Sequence, residues 1–186
     1  MCGIVGYVGD SEAQPILAAG LKNLEYRGYD SAGVGLVGAS VDVYKQEGTI
    51  DELDLPDSSP ATTGIAHTRW STHGEPTDYN AHPHTDCTGD LAVVHNGIVE
   101  NYESLKTELR DRDHEFTSDT DTEVIPHLVE ELYDGDDLEA AVTEAVARLE
   151  GSFAVCVVAA GREEIVAARQ DSPLVVGHGT GSVQIS

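Results

Sequence analysis

Basic residues are scarce in this chain. Ten Lys and Arg stand against 34 Asp and Glu, a formal net charge of −24 over 186 residues. That excess repels nucleic acid and anionic membrane surfaces, so neither is expected as a partner. It is spread along the chain rather than gathered in a tail, and only three of the ten basic residues are Lys. The preferred reading is a solvated surface suited to high salt, where screening suppresses self-repulsion, and hence a halophilic source. An acidic face docking a basic partner is the other reading. Cysteine is also scarce. Cys2, Cys87 and Cys156 make an odd count without repeated spacing, which argues against a disulfide framework and fits a reducing cytoplasm. No apolar run is long enough to span a bilayer, and the start lacks the basic-then-apolar order of a signal peptide. What remains is 40% hydrophobic content, enough for one domain over residues 1–186 with a core of its own.

Along the chain, residues 2–9 alternate small and apolar and read as a buried strand. Ser11 and Gln14 form a capping-box pattern ahead of Ile16, Leu17, Leu21 and Leu24 at helical spacing, with Gly28 just past the end. Strands are expected at 32–38, 41–47 and 63–69. Residues 49–61 read as a polar connection with one helical turn. Residues 70–90 form a long loop holding Trp70, His73, His82, Pro83 and His84, and loops of that length in compact domains are usually functional or disordered. A strand over 91–95 runs into Asn96-Gly97. Helices follow at 102–112, capped by Asn101, then from Asp121 to about Tyr133, and at 138–149. Strands are expected at 153–159, 164–169 and 173–178, and the sequence ends within another, SVQIS. Strands, then helices, then strands indicate an α+β layered fold.

Several residues have the types that chemistry needs. Cys2 follows the initiator Met, which is generally trimmed before a small residue. The mature Cys2 then carries a thiol and an α-amine together. The amine has a pKa of roughly 8 and can serve as the base a thiol needs to become an efficient nucleophile. Asn96 and Gly97 offer a side-chain amide and a backbone N–H to a developing oxyanion, though Asn-Gly is also the commonest hairpin turn. Arg69 has the fork that grips a carboxylate. Asp121 suits a ligand ammonium, or simply a helix start. His82, His84 and Cys87, with His67 and His73 upstream, invite a metal reading. However, Pro83 intervenes, there is no second Cys pair, and the spacing matches no common zinc pattern. No metal and no cofactor are expected.

Six stretches then point the same way: CGIVGYVG at the N-terminus, LEYRGYDSAG at 24–33, GIAHTRWSTHGEP at 64–76, NAHPH at 80–84, VVHNGIVEN at 93–101 and SDTDTEV at 118–124. Together they resemble the glutaminase domain of the glutamine–fructose-6-phosphate aminotransferases, the class II amidotransferases of hexosamine biosynthesis. The resemblance implies an N-terminal-nucleophile (Ntn) hydrolase fold, an αββα four-layer sandwich, incomplete at its C-terminal end. It implies that Cys2 attacks the side-chain amide of glutamine, with Asn96 and Gly97 as the oxyanion hole. Arg69 would hold the substrate carboxylate and Asp121 its amine. Trp70, Thr72 and His73 fall in the loop that closes over glutamine, the Trp also gating ammonia. Arg27, Gly28 and His82 fall beside the nucleophile. The family's sugar-isomerase acceptor domains, which bind fructose 6-phosphate, are absent from these residues, and the full-length family allows a homodimer. A docking fragment that binds glutamine without catalysis, and a glutaminase half serving another acceptor chain, are the alternatives.

Overall fold

The computed structural model describes residues 2–70 and 74–186, with Arg27 described in its backbone alone. In chain order the elements are β1 (Gly3–Gly9), α1 (Ala13–Leu24), a 3₁₀ turn (Glu25–Arg27), β2 (Ser31–Val37), β3 (Val41–Glu47), a second 3₁₀ turn (Ile50–Glu52), β4 (Thr63–Arg69), β5 (His84–Thr85) and β6 (Leu91–Val99). Then come α2 (Tyr102–Arg110), α3 (Val124–Leu132), α4 (Leu138–Val146), β7 (Gly151–Ala159), β8 (Val166–Gln170), β9 (Val176–Gly179) and β10 (Ser182–Ile185).

Two antiparallel sheets form. One has the order β3-β2-β4-β1-β10-β9, the other β5-β6-β7-β8. Three apolar clusters show how they stack. Leu17 and Leu21 of α1 pack with Val5, Val34 and Ala66 on the outer face of the first sheet. Ile4 and Ile65 of the first sheet meet Ala92, Val94, Ala154 and Cys156 of the second between the sheets. Leu105, Leu109, Ile125, Leu128 and Val142 of α2–α4 pack on Val93, Val155 and Val157 at the outer face of the second. The layers are therefore α, β, β, α. Alternate residues of β6 and β7 go to opposite faces, and both faces are buried. This is why LAVV and FAVCVVA read as unbroken apolar runs rather than as an alternation. Each fully buried Leu or Val contributes about 1.5–3 kcal/mol of transfer free energy.

Several local expectations are corrected. The Asn96-Gly97 pair is not a hairpin turn. β6 continues through it, with Asn96 opposite Ala154 and Gly97 opposite Phe153. α1 starts at Ala13 without a side-chain cap. Gln14 instead donates to Pro56 O at 2.6 Å, and the Ser11 N–H donates to Tyr7 Oη at 3.2 Å. Asn101 does not cap α2 with its side chain. It bonds Arg148 O at 2.9 Å and the Glu150 N–H at 3.0 Å, tying α2 to the turn before β7. α3 begins at Val124, not at Asp121, because the preceding residues are held by Glu123. Its buried carboxylate accepts from the N–H and hydroxyl groups of both Thr117 and Ser118 at 2.7–2.8 Å. Among the described residues no helix is long and apolar enough to cross a membrane.

Candidate active site

Cys2 stands just ahead of β1, where the pairing of Gly3 with Thr68 on β4 brings it beside the end of that strand. The Trp70 N–H donates to Cys2 Sγ at 3.4 Å, and the thiol lies 3.7 Å from Trp70 O. Burial pushes the Cys2 thiol up from its ordinary range and outweighs the bond from Trp70, which acts to lower it. The resting sulfur is thus a thiol, and any use of it as a nucleophile would need a base. Gly28 backs the same stretch: a Cβ there would come 2.7 Å from Arg69 C and 2.9 Å from Trp70 N. The absence of that Cβ lets Gly28, just past the Glu25–Arg27 turn, pack against the residues beside Cys2.

The inner face of β6 supplies the next group. Asn96 shares the parity of Ala92 and Val94, which point between the sheets, and its Nδ2 donates to Cys2 O at 3.3 Å. Gly97 has φ +151°, and a Cβ on it would lie 2.0 Å from Ser152 O. Only glycine fits here, because β7 runs directly against it.

Arg69 closes β4 opposite Ser31 of β2 and is 4% exposed. Its guanidinium donates to Glu75 O at 3.4 Å and Gly74 O at 3.3 Å. Burial lowers its pKa, while Cys2, Asp121 and Asp30 pull the other way. Asp121 is anchored by the Val99 N–H, which donates to its Oδ2 at 2.7 Å. Its carboxylate therefore serves β6, two residues beyond Gly97, rather than a helix start. Cys2, Arg69, Trp70, His82, Gly97 and Asp121 all line one small polar depression. It adjoins a larger apolar cavity of about 560 Å³, bounded by Cys2, Ile4, Trp70, Asn96, Ile98 and Leu174 among others.

Behind the polar depression lies a stack of buried histidines that sequence reading did not assemble. His67 and His82 have ring centroids 4.1 Å apart, and His82 and His84 4.8 Å. His67 Nε2 donates to His95 O at 3.0 Å, His95 Nδ1 meets Thr122 Oγ1 at 2.8 Å, and His84 Nε2 meets Thr120 Oγ1 at 3.1 Å. Desolvation lowers all four rings, His67 to about 3 and His95 to about 4. They are neutral spacers that join β4, β6 and the segment carrying Asp121. In sequence His82 and His84 stand close together with His67 upstream, which does not say which rings will meet. Thr72 and His73 lie outside the described residues, as does the Arg27 side chain.

A family model described as a glutamine amidotransferase domain matches residues 67–185. The chain belongs to that family. It is 59% identical over 181 residues to a glutamine–fructose-6-phosphate aminotransferase of Halobacterium salinarum, covering 96% of this chain and 30% of the relative. A protein of the same name from Thermotoga maritima is 53% identical over 186 residues, covering 97% of this chain and 30% of the relative. The chain thus spans about three-tenths of the length of these relatives. A solved structure of glutamine phosphoribosylpyrophosphate amidotransferase from B. subtilis superposes on all of this amidotransferase domain and 41% of its own chain. Its TM-score is 0.83 at 24% identity. That likeness shows the fold, the Ntn-hydrolase sandwich.

Proposed function

We propose that this amidotransferase domain hydrolyses glutamine to glutamate and ammonia. We propose further that it is the ammonia-supplying half of a glutamine–fructose-6-phosphate aminotransferase, whose acceptor domains are carried by residues outside this domain. The observation that carries the reading is the convergence of Cys2, Arg69, Gly97 and Asp121 on one depression, with the Asn96 amide 3.3 Å from the Cys2 carbonyl oxygen.

In this reading the Cys2 α-amine, free once Met1 is removed, takes the thiol proton as sulfur adds to the γ-amide carbon. Negative charge moves to the amide oxygen, toward the Asn96 side-chain amide and the Gly97 N–H. Collapse expels ammonia, which leaves with that proton, and a γ-glutamyl thioester remains. Water adds to the thioester, the oxyanion forms again at the same two donors, and glutamate departs as the thiol is regenerated. Arg69 pairs with the substrate α-carboxylate. The Asp121 carboxylate, which already accepts from Val99, faces the substrate ammonium.

The test is covalent. A glutamine analogue bearing an electrophile in place of the amide should add one equivalent to Cys2, detected by peptide mass spectrometry. Labelling of Cys87 instead, or no adduct, would sink the reading. Asn96→Ala should cost roughly 10²-fold or more in kcat, the usual scale for one oxyanion donor. Arg69→Ala should raise KM for glutamine by at least about tenfold, since a charge-assisted pair contributes about 1.5–3 kcal/mol. An unchanged KM in ammonia-release assays would remove Arg69 from the clamp.

A further inference from the structure

Away from the depression around Cys2, four metal-ligating atoms from three chain segments meet at one point. Cys87 stands in the turn between β5 and β6, His114 follows α2, and His127 and Glu130 sit one turn apart on α3. Cys87 Sγ is 3.5 Å from Nδ1 of both His114 and His127. The two Nδ1 atoms are 3.1 Å apart, and Glu130 Oε2 lies 3.1 Å from one and 3.3 Å from the other. We propose that Cys87, His114, His127 and Glu130 form a tetrahedral structural site for Zn²⁺.

The spacing is what such a site requires. With Zn–S about 2.3 Å and Zn–N and Zn–O about 2.0–2.1 Å, a regular tetrahedron separates N from N or O by about 3.3 Å and S from N by about 3.6 Å. One thiolate, two imidazoles and one carboxylate make a borderline-soft set that suits zinc better than calcium or magnesium. The surroundings hold the ligands in place. His114 Nε2 donates to Glu131 Oε1 at 2.9 Å, and Arg112 fixes the other Glu131 oxygen at 2.6 Å. A carboxylate on the far nitrogen is the usual outer partner of a zinc-bound histidine. It also turns the His114 Nδ1 lone pair inward, directly at a Glu130 oxygen that has lone pairs of its own. Zinc between the two acceptors would relieve their repulsion; without it, the Cys87 thiol, the Cys87 N–H and the His127 ring are the donors within reach of them. His114 is 8% exposed and His127 fully buried, while Cys87 is at the surface and gives a metal its way in. Bound zinc would staple the β5–β6 turn to α3, which directly follows the segment holding Asp121. This inference is independent of the glutaminase reading.

The chelator-stripped chain should be titrated with Co²⁺ and then Zn²⁺. One Co²⁺ per chain is expected, with tetrahedral d–d bands and a sulfur-to-cobalt charge-transfer band, both removed by one equivalent of Zn²⁺. The charge-transfer band should vanish in Cys87→Ser and persist in Cys2→Ala and Cys156→Ser. Glu130→Gln should weaken zinc binding by roughly tenfold or more, at or above the effect of losing an outer partner. It also serves as the check if Cys87→Ser fails to fold, as judged by circular dichroism. No stoichiometric uptake, a band that survives Cys87→Ser, or unchanged affinity in Glu130→Gln would each overturn the proposal and leave the cluster held by hydrogen bonds alone.

Discussion

Acidified from pH 6.5 toward pH 5, the protein should unfold cooperatively. The cause is the stack of His67, His82, His84 and His95. Each ring is neutral and buried in the folded state, with its affinity for protons depressed by desolvation, to about 3 for His67 and about 4 for His95. In the unfolded chain each returns to about 6.5. Across the window between, the unfolded state binds more protons, so stability rises with pH and is lost as pH falls. One such group contributes a slope of about 1.4 kcal/mol per pH unit, and four together about 5. Single domains have only about 5–15 kcal/mol to lose. The neighbours do not reverse this. Arg69 disfavours charge on His67, His82 and His84, and Lys45 does so on His84; the bond to His95 O favours it at His67 and Asp121 favours it at His95, but burial outweighs both. Self-repulsion from the net charge of −24 is relieved only as carboxylates protonate near pH 4, below the window. Urea midpoints at fixed high salt, with chelator present so that metal release does not contribute, should fall steeply below pH 6.5. A midpoint constant between pH 7 and 5.5 would refute the account.

Replacing the Cys2 thiol should have the largest effect on activity. Under the proposed mechanism, the Cys2→Ala pocket keeps Arg69, Asp121, Asn96 and Gly97 but has no group to form the thioester. Ammonia release should fall on the order of 10⁶-fold, the scale of losing a hydrolase nucleophile. Glutamine binding should stay within a few-fold of the parent by calorimetry, because the clamp does not use sulfur. Near-normal turnover would end the nucleophile assignment. Loss of binding together with turnover would mean that the thiol shapes the pocket rather than attacking from it.

Much of this was legible in the residues. The buried strands were readable because small and β-branched residues run unbroken through β6 and β7. The candidate groups Cys2, Arg69, Asn96, Gly97 and Asp121 were readable by chemical type. What a linear reading cannot weigh is which of two partners a polar side chain takes. Asn101 looks like a cap, and Asp121 like a helix start. Each is claimed by a strand or turn distant in sequence, Arg148 and Glu150 for one and Val99 for the other. Asn-Gly looks like a turn because local propensity favours it, and pairing with β7 overrides that preference. The Cys87 cluster was missed for the same reason. Its ligands come from a turn, a helix end and a helix face that only the packing of α2 on α3 brings together.

The two-residue repeat of β6 has a consequence for how this domain can vary. Ala92 and Val94 set which way Asn96 faces, so inserting or deleting one residue between Leu91 and Asn96 would turn its amide toward the helices and bring a neighbour such as His95 or Gly97 to its place beside Cys2. Lengthening the connections outside the sheets has no such effect. Over evolutionary time, length changes should collect in the 49–61 connection and the turns around α4, while this strand keeps its count of residues even where its identities drift.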